Sequence, residues 1–497
     1  MPEKTWAVPG MQMLGREQCE MIHRASLEVL RRTGVRVFHE GALDLLRASD
    51  ALIVDDEAGE GSAQSLVRLP PALVEWALNQ APSRIALCRR GSDEVVAPLE
   101  GHQVSFGPGS DCLNYLDPCT GDRRKFKTPE VRMCVRLVDA LPELDFCMSM
   151  GIPSDLETDN PYLWQFATML ENTTKPIVFV CDDRADCEAI VAMAAAAAGG
   201  IGALRISPSL LLYSEPSTPL KHSETATGKL LYMAEQMLPI VHSPAPMMGG
   251  TAPATLGGGL VLGNAEVLSS LVMHQLQRTG APFVYGSGLH HLDMRTTISV
   301  YSAPEFQLAR VAIAEMGRFY GLPTWGYAGH SDSCVMDEQA AADAAFSVLI
   351  ALLGGNNLVH DVGYLEAGLT TSPEMIVFAS EMISMMRQFV RGVSLDADAL
   401  ALEVIDAVGP GGDFLSTNHT MEHFRGFWEP ALFNRRRVED WVEAGSRRLG
   451  ERLRERTIAL MEEHEPEPLA EALREEIEYI RDRGGAVSET ELRSSGL

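Results

Sequence analysis

The sequence predicts an α/β fold: a (β/α)8 TIM barrel with an N-terminal α+β extension and a C-terminal helical extension. Three observations carry this reading. Eight short apolar runs recur, at residues 103–106, 144–150, 176–181, 209–213, 239–242, 282–285, 323–327 and 357–361. Each is succeeded by a segment of helix length and ends in polar or aromatic residues. Strand candidates open repeatedly on a proline (Pro176, Pro239, Pro282, Pro323), which stops the preceding helix and is tolerated as a strand's first residue. The alternative is a doubly wound open sheet, but neither a Gly-x-Gly-x-x-Gly turn after a strand nor a P-loop pattern is present. In a barrel the loops after the strands build the active site, so the chemistry is read from the residues just beyond each run.

Residues 1–100 form the N-terminal extension. Ile22, Ala25, Val29 and Leu30 repeat at helical spacing, and Thr33-Gly34 supplies a C-cap. A strand near 66–69 and a helix over 71–81 come next, with Pro71 at a first helical position. Residues 101–392 form the catalytic barrel, with helices expected at 129–140, 162–172, 184–197, 223–237, 260–278, 304–320, 338–353 and 373–389. The alanine run 194–198 reads as a buried barrel helix, and Gly257-Gly-Gly259 as a tight loop after the fifth strand. Residues 393–497 carry Arg- and Glu-rich helices at 438–463 and 467–483 before a frayed tail at 488–497; these helices cover their own barrel or wrap a neighbouring subunit.

At 497 residues the chain can bury a large core, and its 46% hydrophobic and 22% charged residues are an ordinary balance for a soluble protein. A formal net charge of −27 argues against nucleic-acid or anionic-membrane partners. The one basic cluster, Arg123-Arg124-Lys125-Phe126-Lys127, reads as a solvated loop. Nine scattered cysteines without a Cys-x-x-Cys pair suit a reducing cytoplasm. The N-terminus has no signal pattern, and no apolar run is long enough for a membrane span.

The strand ends concentrate polar and aromatic side chains. Tyr213 and Glu215 lie at the end of the fourth run, His242 ends the fifth, and Tyr285, His290 and His291 lie at and after the end of the sixth. Trp325, Tyr327, His330, Ser331, Asp332 and Cys334 lie at or after the end of the seventh, and His360, Asp361 and Tyr364 at the eighth. Side chains alternate along a strand, so Trp325 and Tyr327 share a face, whereas His360 and Asp361 point opposite ways in a regular strand. His242 reads as a satisfied barrel residue and Cys334 as a buried thiol. Aromatic faces with nearby carboxylates attract a cation most strongly when it is desolvated. Zinc bound by His and Cys is the rival; no histidine pair is read as having tight ligand spacing, and no metal is expected.

The stretches Tyr213-Ser-Glu-Pro-x-x-Pro-Leu220, Met248-Gly-Gly-Thr-Ala-Pro253, Asn264-Ala-Glu266, Asp293-Met-Arg295, Gly321-Leu-Pro-Thr-Trp-Gly-Tyr-Ala-Gly329 and His360-Asp-Val-Gly-Tyr364 resemble the trimethylamine methyltransferase family. The likeness covers the barrel and continues through 417–441. It implies a barrel that moves a methyl group from a methylated amine to the cobalt of a corrinoid held by a separate protein. Only ordinary residue types occur, so the chain resembles the non-pyrrolysine branch, which includes enzymes for quaternary amines such as glycine betaine. Cys334 is placed near the pyrrolysine position of the founding members.

On this reading His330, Asp332, His360 and Asp361 are the catalytic candidates. Tyr213, Glu215, Tyr285, Arg295, Trp325, Tyr327, Cys334 and Tyr364 are the substrate-binding candidates, with Arg295 or the glycine-run helix start meeting a substrate carboxylate. No Asp-x-His-x-x-Gly cobalamin pattern occurs among the 13 histidines, so the corrinoid is expected on a partner protein, with none bound tightly by this chain. An acidic rim would favour a basic docking face. A homo-oligomer is expected. The rivals are a zinc-assisted methyltransferase for a thiol or alcohol and a non-catalytic betaine-binding barrel.

Overall fold

The computed structural model describes residues 6–55, 65–156 and 160–483. Helices and strands are mixed throughout. Near the N-terminus, Val35–Val37, Leu52–Asp55 and Ser65–Arg68 form antiparallel pairs. Helices Arg16–Arg32 and Pro71–Gln80 pack on the long helix Leu256–Gln277.

The central strands are β1 (Ser105–Pro108), β2 (Ile177–Phe179), β3 (Leu210–Ser214), β4 (Ile240–His242), β5 (Phe283–Val284), β6 (Trp325–Tyr327) and β7 (Leu358–Val362). Parallel pairing runs from β2 through β3 and β4 to β5. A bridge from Tyr285 to Thr324 continues it to β6, which pairs with β7, which pairs with β1. The second expected run is reduced to isolated bridges within residues 144–151. Cys147 pairs with Ile177 on one side. On the other, the amides of Asp145 and Met150 donate to the carbonyls of Phe106 (2.6 Å) and Gly109 (2.9 Å). The parallel strands thus form two sheets, β2 to β5 and β6–β7–β1, linked by isolated bridges and single hydrogen bonds.

Alternation along these strands sends one side chain in two to a common interior. Phe146, Met148, Val178, Leu211, Val241, Val284, Trp325, Tyr327 and Leu358 form one buried cluster there. The opposite faces meet the helices. Both faces are thus buried, which is why the strands read as unbroken apolar runs.

The eight expected helices lie at Thr128–Ala140, Pro161–Asn172, Arg184–Ala198, Glu224–Gln236, Leu256–Gln277, Pro304–Tyr320, Glu338–Gly354 and Pro373–Val390. Asp183, Ser223, Asp337 and Ser372 cap four of them by accepting a first-turn backbone N–H that has no partner within the helix. Leu256–Gln277 starts earlier than expected and absorbs Gly257-Gly-Gly259 into its first turns, so the run is not a loop. A Cβ on Gly259 would lie 2.6 Å from Leu289, so the glycine permits close packing. This helix has the length and apolarity to cross a membrane, but 72% of its apolar window is buried inside the protein, where it forms core.

The basic cluster is not a solvated loop. Arg123–Lys125 is a strand, with Arg124 held by Asp117 (3.1 Å) and Glu130 (2.9 Å) and Arg123 by Glu366 (2.7 Å). The alanine run ends the helix Arg184–Ala198; Ala194 is buried and the rest half-buried. The expected helix 438–463 is broken into Val438–Glu443 and Leu449–Glu463, because Gly445 and Ser446 adopt positive φ (91° and 55°). Leu449–Glu463 and Glu471–Arg483 cover helices of their own chain, burying Leu453, Ile477 and Ile480. Of residues 395–448 only Leu432 is buried, leaving an exposed helical arm. The tail 488–497 and the first five residues lie outside the described residues.

Asn357 joins three of the strand starts. Its Oδ1 accepts from the Thr324 amide (2.9 Å), and its Nδ2 donates to the Gln103 carbonyl (2.9 Å). Replacing Asn357 by Ala strands these buried groups and should lower the unfolding free energy by about 2–3 kcal/mol. Urea denaturation checks this; an unchanged midpoint and slope would contradict it.

Candidate functional site

The C-terminal ends of the parallel strands surround a cavity of about 410 Å³. A larger groove of about 660 Å³ lies in the C-terminal arm among Phe424, Trp428 and Trp441. The smaller cavity is the better candidate because titratable groups and aromatic rings from several strands converge there.

His360, in the middle of β7, lines it. The ring is 4.3 Å from Tyr327, 4.4 Å from Trp325 and 5.5 Å from Tyr213. Tyr301 stacks on Phe306 at 5.2 Å, and Phe306 meets Tyr327 edge-on at 5.8 Å. Tyr364 closes another side and donates its hydroxyl to the Ser110 carbonyl. It lies so near the backbone that a Cβ on Gly109 would sit 2.1 Å from its ring.

Asp111, Glu215, Asp361 and Glu366 also line the cavity, Glu366 paired with Arg123 (2.7 Å), and among the described residues no Lys or Arg lines it. Burial pushes the Asp111 carboxyl up to about 6. Burial also raises that of Glu215; the Tyr213 hydroxyl donated to it opposes the rise, and the charges of Asp111 and Asp361 add to it. Glu215 keeps exposed surface although protein surrounds it. Asp361 is buried with neither oxygen hydrogen-bonded, although its Oδ1 lies 3.0 Å from Nδ1 of His360. Both ring nitrogens of His360 also lack partners within the chain.

The expected opposition of His360 and Asp361 fails for a specific reason. The β7–β1 register slips between Val359 and Val362, and Asp361 takes φ 77°. The irregularity swings both neighbouring side chains into the cavity.

One buried cation stands behind the aromatic wall. Arg310 donates to the carbonyls of Ser287 (2.7 Å) and Leu289 (2.6 Å). Its guanidinium lies 4.3 Å from the Phe306 ring and 4.6 Å from that of Tyr327. Burial lowers its pKa to about 10, so it stays charged near neutrality. Burial raises the Tyr327 phenol to about 12, with Arg310 opposing.

Of the sequence candidates, Tyr213, Glu215, Tyr327, His360, Asp361 and Tyr364 meet in the cavity. Six others do not line it. Trp325 is fully buried beneath His360, as the strand alternation places it one layer down. Tyr285 closes the inter-strand bridge and turns toward the helices, donating to Asn264 Oδ1 (2.8 Å). His330 is fully buried behind Tyr301 and donates to its carbonyl at 3.1 Å. Asp332 accepts the amides of Tyr301 and Ser302, both at 3.0 Å, and so fixes the loop that carries Tyr301. Arg295 is exposed at the tip of a hairpin formed by His290–Asp293 and Ile298–Val300, away from the expected anion role. Cys334 is exposed, not a buried thiol.

His242 is fully buried, but neither of its nitrogens is hydrogen-bonded, so it is not the satisfied residue expected. Sequence reasoning missed Asp111, Tyr301 and Phe306. Asp111 comes after the first strand, which runs two residues past the expected end; Tyr301 and Phe306 arrive through the hairpin excursion, which has no local signature. The expected absence of histidines at metal-ligand spacing is also corrected. His419 and His423 stand four apart on the helix Asn418–His423, and with Asp398 they are the group of potential ligands found among the described residues, outside the cavity.

The family model described as trimethylamine methyltransferase matches residues 1–487. A trimethylamine methyltransferase of Desulfitobacterium hafniense (strain DSM 10664 / DCB-2) is 30% identical over 480 residues, 96% of this chain and 95% of the relative. A glycine betaine methyltransferase of Desulfitobacterium hafniense (strain Y51) is 29% identical over 439 residues, covering 88% and 89%. The crystal structure of the Methanosarcina barkeri monomethylamine methyltransferase aligns with a TM-score of 0.49 at 13% identity, over 91% of this chain and 89% of that one. By the family match and the extent of the two sequence alignments, the chain belongs to the trimethylamine methyltransferase family.

Proposed function

We propose that this protein takes a methyl group from a quaternary or related methylated amine and delivers it to a corrinoid carried by a separate protein. The eight parallel segments are read as a closed (β/α)8 barrel with the substrate at its strand ends. The observation that carries the reading is a cavity walled by Tyr213, Tyr301, Phe306, Tyr327 and Tyr364, with four carboxylates, one of them (Glu366) ion-paired with Arg123, and no lining Lys or Arg among the described residues. Such a lining suits a fixed positive charge. The cavity also opens outward: Ile298 and Leu369 line it and are 57% and 48% exposed, giving the mouth a surface that a partner could cover.

The corrinoid supplies a nucleophilic Co(I) when its carrier docks. The residues of this chain hold, dehydrate and aim the cation. Methyl loss from a quaternary ammonium releases a neutral tertiary amine, so no side chain has to protonate the leaving group. The positive charge disappears as the reaction proceeds, so a carboxylate in direct contact would favour the substrate over the transition state. Aromatic faces provide softer contact, and Glu215, its carboxyl raised by the surrounding protein, stands nearby. For a betaine, backbone N–H groups or water at the mouth would meet the carboxylate, since Arg295 stands apart from the cavity.

Neither rival finds support among the relatives, which are named as methyltransferases of methylated amines. The nine cysteines, all free, fit a reducing cytoplasm. The exposed arm of residues 395–448 is consistent with a homo-oligomer.

A panel of quaternary amines assayed for methyl transfer to free Co(I) cobalamin tests the reaction. Demethylated amine and methylcobalamin should appear in equal amounts; binding without product would reject it. Tyr301→Leu should weaken binding of the preferred cation about 5- to 30-fold, the loss of roughly 1–2 kcal/mol of desolvated cation–π attraction. Calorimetry reads that loss, and unchanged affinity would remove Tyr301 from the contact.

Cation affinity should rise with pH through about 6, because the Asp111 carboxyl is neutral below that value and anionic above it. Calorimetric titrations of the same cation between pH 5 and pH 8 should show the rise, and Asp111→Asn should flatten it. A slope unaltered in Asp111→Asn would assign the effect elsewhere.

A further inference from the structure

We propose that Asp398, His419 and His423 form a zinc(II) site that fastens the exposed C-terminal arm. His419 and His423 lie one helical turn apart on Asn418–His423, a spacing that puts both rings on one face. Their ring centroids are 4.3 Å apart. Asp398 comes from a different helix, Ala397–Leu400, and its Oδ2 lies 3.0 Å from Nε2 of His423. One donor atom from each residue falls within 4.8 Å of the other two. Tetrahedral zinc, with bonds of about 2.0–2.2 Å, needs donors roughly 3.3–3.6 Å apart, within reach of small side-chain rotations. Two imidazoles and a carboxylate suit zinc, with a water or a further donor in the fourth position. Calcium and magnesium would want more oxygen ligands.

The location gives the ion a task. Between 395 and 448 the only buried residue is Leu432, so apolar packing contributes little to ordering the arm. The segment joining Asp398 to His419 includes positive φ at Ala401, Gly409 and Gly411. A metal clasp would close this segment into a loop and dock its acidic first helix on the histidine helix. None of the three residues lines the strand-end cavity, so the site bears on the arm's order rather than on methyl transfer. An ordinary His423–Asp398 ion pair is the competing account, and it gives His419 no part beyond its 3.2 Å contact with the Asp398 carbonyl.

The test uses the full chain without an affinity tag, stripped with a chelator and titrated with zinc alone. Elemental analysis and calorimetry should give one zinc per chain. The double variant His419→Ala/His423→Ala should bind at least tenfold more weakly, and Asp398→Asn, which leaves the histidine helix intact, should also lose affinity. Limited proteolysis between residues 399 and 418 should slow several-fold with zinc in the wild type and not in the variants. No zinc uptake, or uptake and cleavage rates equal in wild type and both variants, would overturn the proposal.

Discussion

Negative charge gathered on the lining of one cavity is the constraint on which the rest of this structure turns. Asp111, Glu215, Asp361 and the Arg123-paired Glu366 share one lumen, and no Lys or Arg among the described residues lines it with them. Moving carboxylates out of water is costly unless they are paired or protonated. Without a bound cation the protein relieves part of this cost by holding protons longer, as the raised Asp111 and Glu215 carboxyls show. Arg310 lies against the Phe306 and Tyr327 rings without lining the cavity, and its own donors are committed to Ser287 and Leu289. The lumen therefore keeps a deficit of positive charge that a small organic cation can fill.

Holding such a lumen open requires backbone that departs from regular strand. Asp111, just after β1, and Asp361, within its neighbour β7, both adopt positive φ (64° and 77°). A non-glycine residue in that region costs about 1–2 kcal/mol. The surrounding sheet holds these conformations: β7 and β1 resume their pairing at Val362 and Pro108, beyond the irregularity. Asp332 does comparable work for the roof, with both carboxylate oxygens spent on the amides of Tyr301 and Ser302. It positions an aromatic wall without touching the lumen, which is why it reads from sequence as an active-site acid.

The repeating strand–helix order was legible because parallel strands buried on both faces leave continuous apolar runs, punctuated here by Pro176, Pro239, Pro282 and Pro323. Half of the proposed site was legible for the same reason: Tyr213, Tyr327 and His360 stand at or near strand ends. What escaped depends on three-dimensional detail. Trp325 and Tyr327 share a face, yet only the second reaches the lumen, because a step of two residues is a full layer of depth. Tyr285 sits at a strand end but turns to Asn264, and no local pattern records that choice. His360 and Asp361 could be united only through a register slip that their sequence does not announce. Tyr301 and Phe306 enter on an excursion after β5, beyond the reach of strand-by-strand reasoning.

The walls of the cavity come from separate places along the chain: Asp111 after β1, Tyr213 and Glu215 at the end of β3, Tyr301 and Phe306 beyond β5, Tyr327 on β6 and Tyr364 after β7. Divergence in one connecting loop can thus reshape a single panel while the remaining panels, anchored on other strands, stay put. A scaffold so partitioned can drift between amines of different bulk through isolated changes, each tolerated by selection before the next arises.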